Sequence, residues 1–474
     1  MPPQLRIAAA RGLGIVALAL VLSVPARLFA DEQTTPAEPP SLSDAVGDGL
    51  AKIRPMLDAK PPDYVSANAT VDKLISEAEA DSYDMDILLE TRARILIQQA
   101  HYADAIKPME AALDIADRHH FNNAKQTMDI VNLLAQLYNQ TADDSKKSHE
   151  EQIRSYEKAV GYMQRWFKLS TKPNEDISFY YAQLLYGEAV AKNQEHPDPA
   201  LIKLAREQVE KVLLMSVHPK PSTYAFLLAT LNQEQDYTRA SEILELMLSR
   251  NPSSKSYWAD LVMFYMILGQ NSKDEAKIRM YDIRAINAIE RAQALGYLKT
   301  TKDNFNLFTL YYNSNQYGAA ADLLHDGLMT GNIDPILANW QLLASSYEQI
   351  NQEFKAIDAL KEASNRFPKN GELDMKISQV YYSLGDTEKS FQYAQIAMEK
   401  GGLAKPLQTY EFIAYLAYEL HKYDFAKIAI DKVIELLKGN PDHQMQILKG
   451  AIDDAIKEAN EKAAEKAPAA QPSS

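Results

Sequence analysis

The sequence predicts an all-α chain of antiparallel helix pairs, stacked side by side into a right-handed superhelix. Three observations predict it. Small and large apolar residues return in one fixed order along the chain, from unit starts at Pro221, Lys255, Thr301, Leu337, Gly371 and Leu407 that stand 34, 46, 36, 34 and 36 residues apart. The 24% charged and 46% hydrophobic residues are those of a folded chain rather than a disordered one. Glycine is scarce, 17 residues against 26 tyrosines, which disfavours a turn-rich β fold.

The clearest unit is LANWQLLASSYEQINQEFKAIDALKEASNRFP, from Leu337. It carries Trp340, Leu343, Ala344 and Tyr347, then Ala356, Leu360, Ala363 and Pro368. This is the tetratricopeptide pattern W-x2-L-G-x2-Y, A-x3-F, P, with Ala for Gly and Leu for Phe. Small residues are needed where the two helices touch, and large ones where the pair meets its neighbour. Pro368 stops the second helix because it has no N–H to donate. The frame recurs with Tyr224, Leu227, Leu228, Leu231 and Ala240; with Trp258, Leu261, Val262 and Tyr265; and with Leu307, Phe308, Tyr311 and Ala320. It continues with Ile377, Ser378, Tyr381 and Ser390, then Tyr410, Ile413, Ala414 and Ala426. The expected fold is a tetratricopeptide-type helix-pair solenoid of about nine pairs.

Towards the N-terminus the frame is weaker, from Asp86, Met128 and Glu175. Three units carry about three extra helical turns before Ala159, Ala205 and Ala285, which keeps an apolar face in phase if the second helix is lengthened. Capping boxes are expected at Ser148-x-x-Glu151 and Ser272-x-x-Glu275, and an N-cap at Asp198 followed by Pro199. A stack must end on a polar face. Ile447, Leu448, Ala451, Ile452, Ala455 and Ile456 predict the buried stripe of a closing helix.

Arg6 and Arg11 precede an apolar run from Gly12 to Val24, broken by Pro25. The run is too short to span a bilayer and suits an export leader cut near Ala26 or Ala30. The expected organisation is a signal peptide at 1–30, a Pro-rich linker and the start of the first helices at 31–64, and divergent repeats with lengthened helices at 65–220. Regular repeats follow at 221–440, a capping helix at 441–466 and a disordered tail at 467–474. No later segment predicts a transmembrane span in the mature chain.

Composition and motifs speak against chemistry. The net charge of −14 opposes nucleic-acid binding, which depends on neutralising phosphates. With no cysteine, thiolate metal sites and thiol catalysis are excluded. His119 and His120 are adjacent, and so diverge on a helix. His149-Glu150 lacks the second histidine of a zinc-protease helix, and no phosphate loop or nucleophile elbow occurs. Gly401-Gly402 reads as a helix C-cap. No catalytic residue, metal ligand, cofactor or enzymatic activity is expected.

A binding groove is expected instead. In this repeat type the first helices line a concave surface. The inward positions give Phe305, Thr309, Tyr312 and Asn313; then Gln341, Ser345, Glu348 and Gln349; then Glu372, Met375, Gln379 and Tyr382; then Gln408, Glu411, Tyr415, Tyr418 and Glu419. Aromatic rings and amides suit an extended peptide, and the carboxylates suit a basic one.

Two stretches, GYLKTTKDNFNLFTLYYNSNQYGAAADLL (296–324) and NWQLLASSYEQINQEFKAIDALKEA (339–363), together with GGLAKP (401–406), carry a resemblance. The chain resembles the tetratricopeptide proteins encoded alongside TonB–ExbB–ExbD energy-transducing systems in Gram-negative bacteria. The resemblance covers roughly residues 220–435. It implies a non-catalytic periplasmic protein-interaction scaffold that assists or regulates TonB-type uptake, with TonB-, ExbB- or ExbD-type partners. Two other readings stand beside it: a general cell-envelope assembly adaptor, and an enzyme with a sparse site in the N-terminal half.

Overall fold

The computed structural model describes residues 40–142 and 147–466, with the backbone alone for 463–466. The expected leader at 1–30, most of the linker and the tail at 467–474 lie outside the described residues. The chain forms two compact units, one ending at Pro173 and one beginning at Asn174. All regular structure among the described residues is helical.

Unit 1 has three pairs: α1 (Asp44–Asp58) with α2 (Tyr64–Glu77), α3 (Tyr83–Gln98) with α4 (Tyr102–His119), and α5 (Ala124–Ala142) with α6 (His149–Leu169). Unit 2 opens with α7 (Glu175–Lys192), α8 (Pro199–Met215), α9 (Pro221–Gln233), α10 (Tyr237–Arg250), α11 (Lys255–Asn271) and α12 (Glu275–Ala294). It continues with α13 (Thr301–Asn313), α14 (Tyr317–Thr330), α15 (Leu337–Gln349), α16 (Glu353–Arg366), α17 (Gly371–Ser383) and α18 (Thr387–Lys400). It closes with α19 (Pro406–Glu419), α20 (Tyr423–Leu436) and α21 (His443–Lys466). The chain is thus an all-α array of tetratricopeptide-type helix pairs. The pair α1/α2 lies outside the repeat frame, whose apolar pattern it does not carry.

Within a regular pair, small residues bring the helices together. Ala344 and Ala356 are both buried, and at the equivalent place Ser378 Oγ donates to the Ser390 carbonyl at 2.7 Å. Between pairs, large residues make the joint. At three joints a tyrosine of the new first helix reaches a carboxylate on the preceding second helix. Tyr138 donates to Glu110 at 2.8 Å, Tyr265 to Glu245 at 3.2 Å, and Tyr311 to Glu290. In the joint between α16 and α17 the partner is a cation, with Lys361 Nζ 3.5 Å from the Tyr381 hydroxyl. The aromatic that opens the first helix is covered by an arginine from the end of its own pair. Arg250 lies over Tyr224 at 5.1 Å, Arg291 over Trp258 at 4.8 Å, and Arg366 over Trp340 at 5.3 Å. Such contacts are worth up to about 2 kcal/mol when desolvated.

One repeat after Trp340 and Arg366, the same two places hold Asp374 and Lys400. There the stacking contact is replaced by a buried ion pair, with Lys400 Nζ 2.8 Å from Asp374 Oδ2. Ser364 Oγ donates to Asp374 at 2.9 Å and lies 2.6 Å from Lys400 Nζ. The following joint, α18 against α19, is the sparsest between pairs in unit 2. The place of the joint tyrosine is taken there by Ala417.

Several local expectations are corrected. The extra turns are shared by both helices of a pair, not confined to the second. α5 and α6 have 19 and 21 residues, α7 and α8 have 18 and 17, and α11 and α12 have 17 and 20, against 13 and 14 in regular pairs. An apolar turn added to one helix must be covered by an equal turn of its partner. The capping box at Ser148 and the N-cap at Asp198 form, but α12 is capped by Asp274, which accepts from Ala276 and Lys277. Ser272 instead ends α11. In α21 the buried stripe runs through Met445, Leu448 and Ile452, and Ile447 points outward with 60% exposure. Of the expected stripe, Leu448 and Ile452 are buried and Ala451, Ala455 and Ile456 half-buried; only Ile447 departs from it. No helix among the described residues is long and apolar enough to cross a membrane.

Two predictions follow from this packing. Gly371 N donates to Gly401 O at 2.7 Å, and a Cβ at Gly371 would lie 2.3 Å from the Ala397 carbonyl and 2.6 Å from that of Gly401. Both obstacles are backbone, so Gly371→Ala should cost roughly 2–3 kcal/mol, as overpacking does. Gly161, in the middle of α6 with open space around it, should instead gain about 0.5–1 kcal/mol as alanine. Thermal unfolding of the two variants should shift in opposite directions. At the ion pair, Lys400→Met should cost about 3–5 kcal/mol by leaving Asp374 buried without its cation. The double change Lys400→Met with Asp374→Leu should recover most of that loss in urea unfolding.

Candidate functional site

The first helices α13, α15, α17 and α19 carry the residues of the expected groove, and the structure leaves some of them buried or half-buried, Glu411 among the latter, and others exposed. Phe305 and Tyr312 are half-buried against the core of α13–α17. Tyr312 stands 5.9 Å from Phe308 and 5.1 Å from Tyr317, ring centroid to centroid. Gln341 is half-buried. Glu372 is taken up by the loop after α18, where its Oε2 accepts from Ala404 N–H at 3.0 Å. Met375, read as inward-facing, is fully buried against the core of α19–α21. Tyr418 is half-buried, 6.0 Å from Tyr423.

Asn313, Glu348, Gln349, Gln379, Tyr382 and Tyr415 are exposed. Tyr382 on α17 and Tyr415 on α19 keep 44% and 45% of their surface in solvent. Tyr382 meets Phe412 edge-on at 5.4 Å and donates to Glu419 Oε2 at 3.4 Å, so it spans from α17 to α19. Beside it opens a cleft of about 400 Å³ lined by Glu348, Glu353, Lys376, Gln379, Val380 and Ser383. The structure therefore brings Glu348, Gln379 and Tyr382 to one stretch of surface. It removes Phe305, Glu372 and Met375 from the exposed face.

Phe412, Glu353 and Lys376 belong to this surface and were not read from the sequence. Phe412 and Lys376 occupy one place on successive first helices, each meeting the preceding first helix near its end. A signal for that place exists only once two first helices are set side by side.

The electrostatics are those of a groove short of cations. Burial pushes the Glu348 carboxyl up from its ordinary range; the Lys376 charge opposes the rise and Glu353 adds to it. Burial likewise raises Glu411, and Asp442 adds to it. Among the described residues no three metal-ligating side chains stand together. On α11, burial alone pushes Asp260 up to about 6. In unit 1, Glu110 accepts from Tyr162 at 2.6 Å and from Tyr138, with Lys158 at 3.4 Å. Burial there is outweighed by those hydrogen bonds and the lysine charge, which hold the carboxyl below its usual range. This cluster ties α4, α5 and α6 together.

No protein-family model matches the chain, and no curated protein matches it. Among solved structures, it is similar to a tetratricopeptide repeat protein from Parabacteroides merdae ATCC 43184, at 14% identity over 64% of this chain and 99% of that one, with a TM-score of 0.32. It is also similar to MamA, at 17% identity over 37% of this chain and 94% of that one, TM-score 0.27. A third likeness is to the Cut9–Hcn1 hetero-tetramer of APC/C, at 14% identity over 87% and 77% of the two chains, TM-score 0.25.

Proposed function

We propose that the chain is a non-catalytic scaffold that holds an extended, basic segment of a partner protein on the first helices of unit 2. The observation that carries this reading is the pair Tyr382 and Tyr415, on neighbouring first helices and each nearly half in solvent. Tyrosine offers a large flat contact with few torsions to freeze, and such residues often dominate binding. Gln379 and Gln349 supply amide donors and acceptors for a peptide backbone. Glu348 and Glu411, raised by burial, gain from an incoming cation.

The finer reading is a periplasmic accessory of a TonB-type uptake system, with the leader at 1–30 removed on export. The arginine-flanked apolar run supports export, and the resemblance over 220–435 supports the TonB context. Detection of the processed chain in the periplasm and its co-purification with TonB-, ExbB- or ExbD-type proteins would test both.

Two predictions test the groove. Tyr415→Ala should leave stability within about 0.5 kcal/mol, as for a surface site. With Tyr382→Ala it should weaken a lysine-rich peptide by about tenfold or more, a typical hot-spot loss. Fluorescence anisotropy gives the affinity and thermal unfolding the stability; unchanged affinity in the double variant would remove the groove from the reading. The second concerns pH. Glu348 and Glu411 titrate above their ordinary 4.5, so the empty groove keeps its protons to higher pH than solvated glutamates do. A cationic partner binds the ionised forms. Its affinity should therefore fall as pH is lowered towards 4.5, and the fall should be smaller in the Glu348→Gln variant.

A further inference from the structure

The first helices of unit 2 meet one another through a repeated contact. The residue just after the place of the repeat's tyrosine on one first helix stands against the residue just before the place of the repeat's first leucine on the next. Between α7 and α9 these are Tyr186 and Phe226, with ring centroids 5.5 Å apart. Between α17 and α19 they are Tyr382 and Phe412, 5.4 Å apart. Between α15 and α17 they are Glu348 and Lys376, which line one cleft, and the lysine charge acts on the glutamate. At these joints ring meets ring, and carboxylate meets cation.

At the joint of α9 and α11 the same two places hold Asn232 and Asp260. Here the match fails. Asp260 is half-buried, with no hydrogen bond or ion pair among the described residues. Burial alone raises its carboxyl, and no charged group on α9, α10, α12 or α13 contributes. One turn along the two helices stand Ala229 and Met263, both half-buried, and Ala259 beside the aspartate is exposed. The surroundings are thus apolar and open to solvent on one side.

Helix capping does not explain this aspartate, because α11 is capped by Ser254 and α12 by Asp274. A carboxylate half withdrawn from water with no donor facing it costs stability. A cation arriving from outside the fold offsets that cost.

We infer that Asp260 takes the side-chain cation of a lysine or arginine in the segment held on the first helices, two first helices before Glu348. This rests on the groove reading above and adds to it the acid that a basic residue of the partner meets. The chemistry favours a side-chain cation over a bound metal ion. A metal calls for several oxygen or nitrogen ligands, and among the described residues no three metal-ligating side chains stand together.

The test is fluorescence anisotropy of a labelled oligolysine with the full-length chain and its variants. Asp260→Asn should weaken binding by about tenfold, the loss of one charge-assisted contact. Asp260→Glu keeps the charge and should retain most of the affinity. Asp454→Asn removes an exposed acid of α21 and should leave binding nearly unchanged. The free Asp260→Asn protein should melt no lower than the parent at neutral pH. The carboxyl is raised in the folded state, so its ionisation weakens the empty fold as pH rises, and the amide escapes that loss. A lowered melting temperature would overturn the inference by making the aspartate structural. Equal losses of affinity in Asp260→Asn and Asp454→Asn would overturn it too, since the peptide would then sense net charge alone. If Asp260→Asn binds like the parent while Tyr382→Ala with Tyr415→Ala loses the peptide, this inference falls and the groove stands. If neither variant loses the peptide, both fall.

Discussion

The joint between one helix pair and the next is the contact on which the rest of this protein depends. A single pair cannot bury both of its apolar faces, so each relies on its neighbour for a core. At several joints the contact is made by a tyrosine on the incoming first helix, oriented by a hydrogen bond to a charged group on the outgoing second helix. Tyr138, Tyr265, Tyr311 and Tyr381 all do this. The bond matters more for direction than for strength: a net hydrogen bond to a charged group contributes about 1.5–3 kcal/mol, while the phenol ring fixes the angle at which the next pair is laid down.

Much of this was legible before any coordinates. The unit starts at Pro221, Lys255, Thr301, Leu337 and Gly371 coincide with the first residues of α9, α11, α13, α15 and α17. They were readable because small and large residues there answer to contacts inside one repeat, which a local pattern records. Of the weaker units, the one expected from Glu175 coincides with the start of α7, while α3 begins at Tyr83 rather than Asp86 and α5 at Ala124 rather than Met128.

What escaped the sequence depended on neighbours. The edge of the α21 stripe falls on Met445 rather than Ile447, since the two are equally apolar and only packing decides which is covered. The groove was read one helix at a time, so it included Phe305, Met375 and Glu372, which packing and a loop claim. It missed Phe412, which lies on the flank of the next helix. The exchange of Trp340 and Arg366 for Asp374 and Lys400 one repeat on preserves a cation over its partner by different chemistry. A pattern of apolar residues passes over such an exchange.

The sparse joint between α18 and α19 has a mechanical meaning. With Ala417 where a tyrosine would tie the pairs together, and a Gly401-Gly402 segment as the link, this joint opposes bending with less packing than the other joints of unit 2. Tyr382 and Phe412 face each other across that seam. A molecule gripping both sides would act as a splint, converting a sparsely joined terminal module into a stiff continuation of the rod before it.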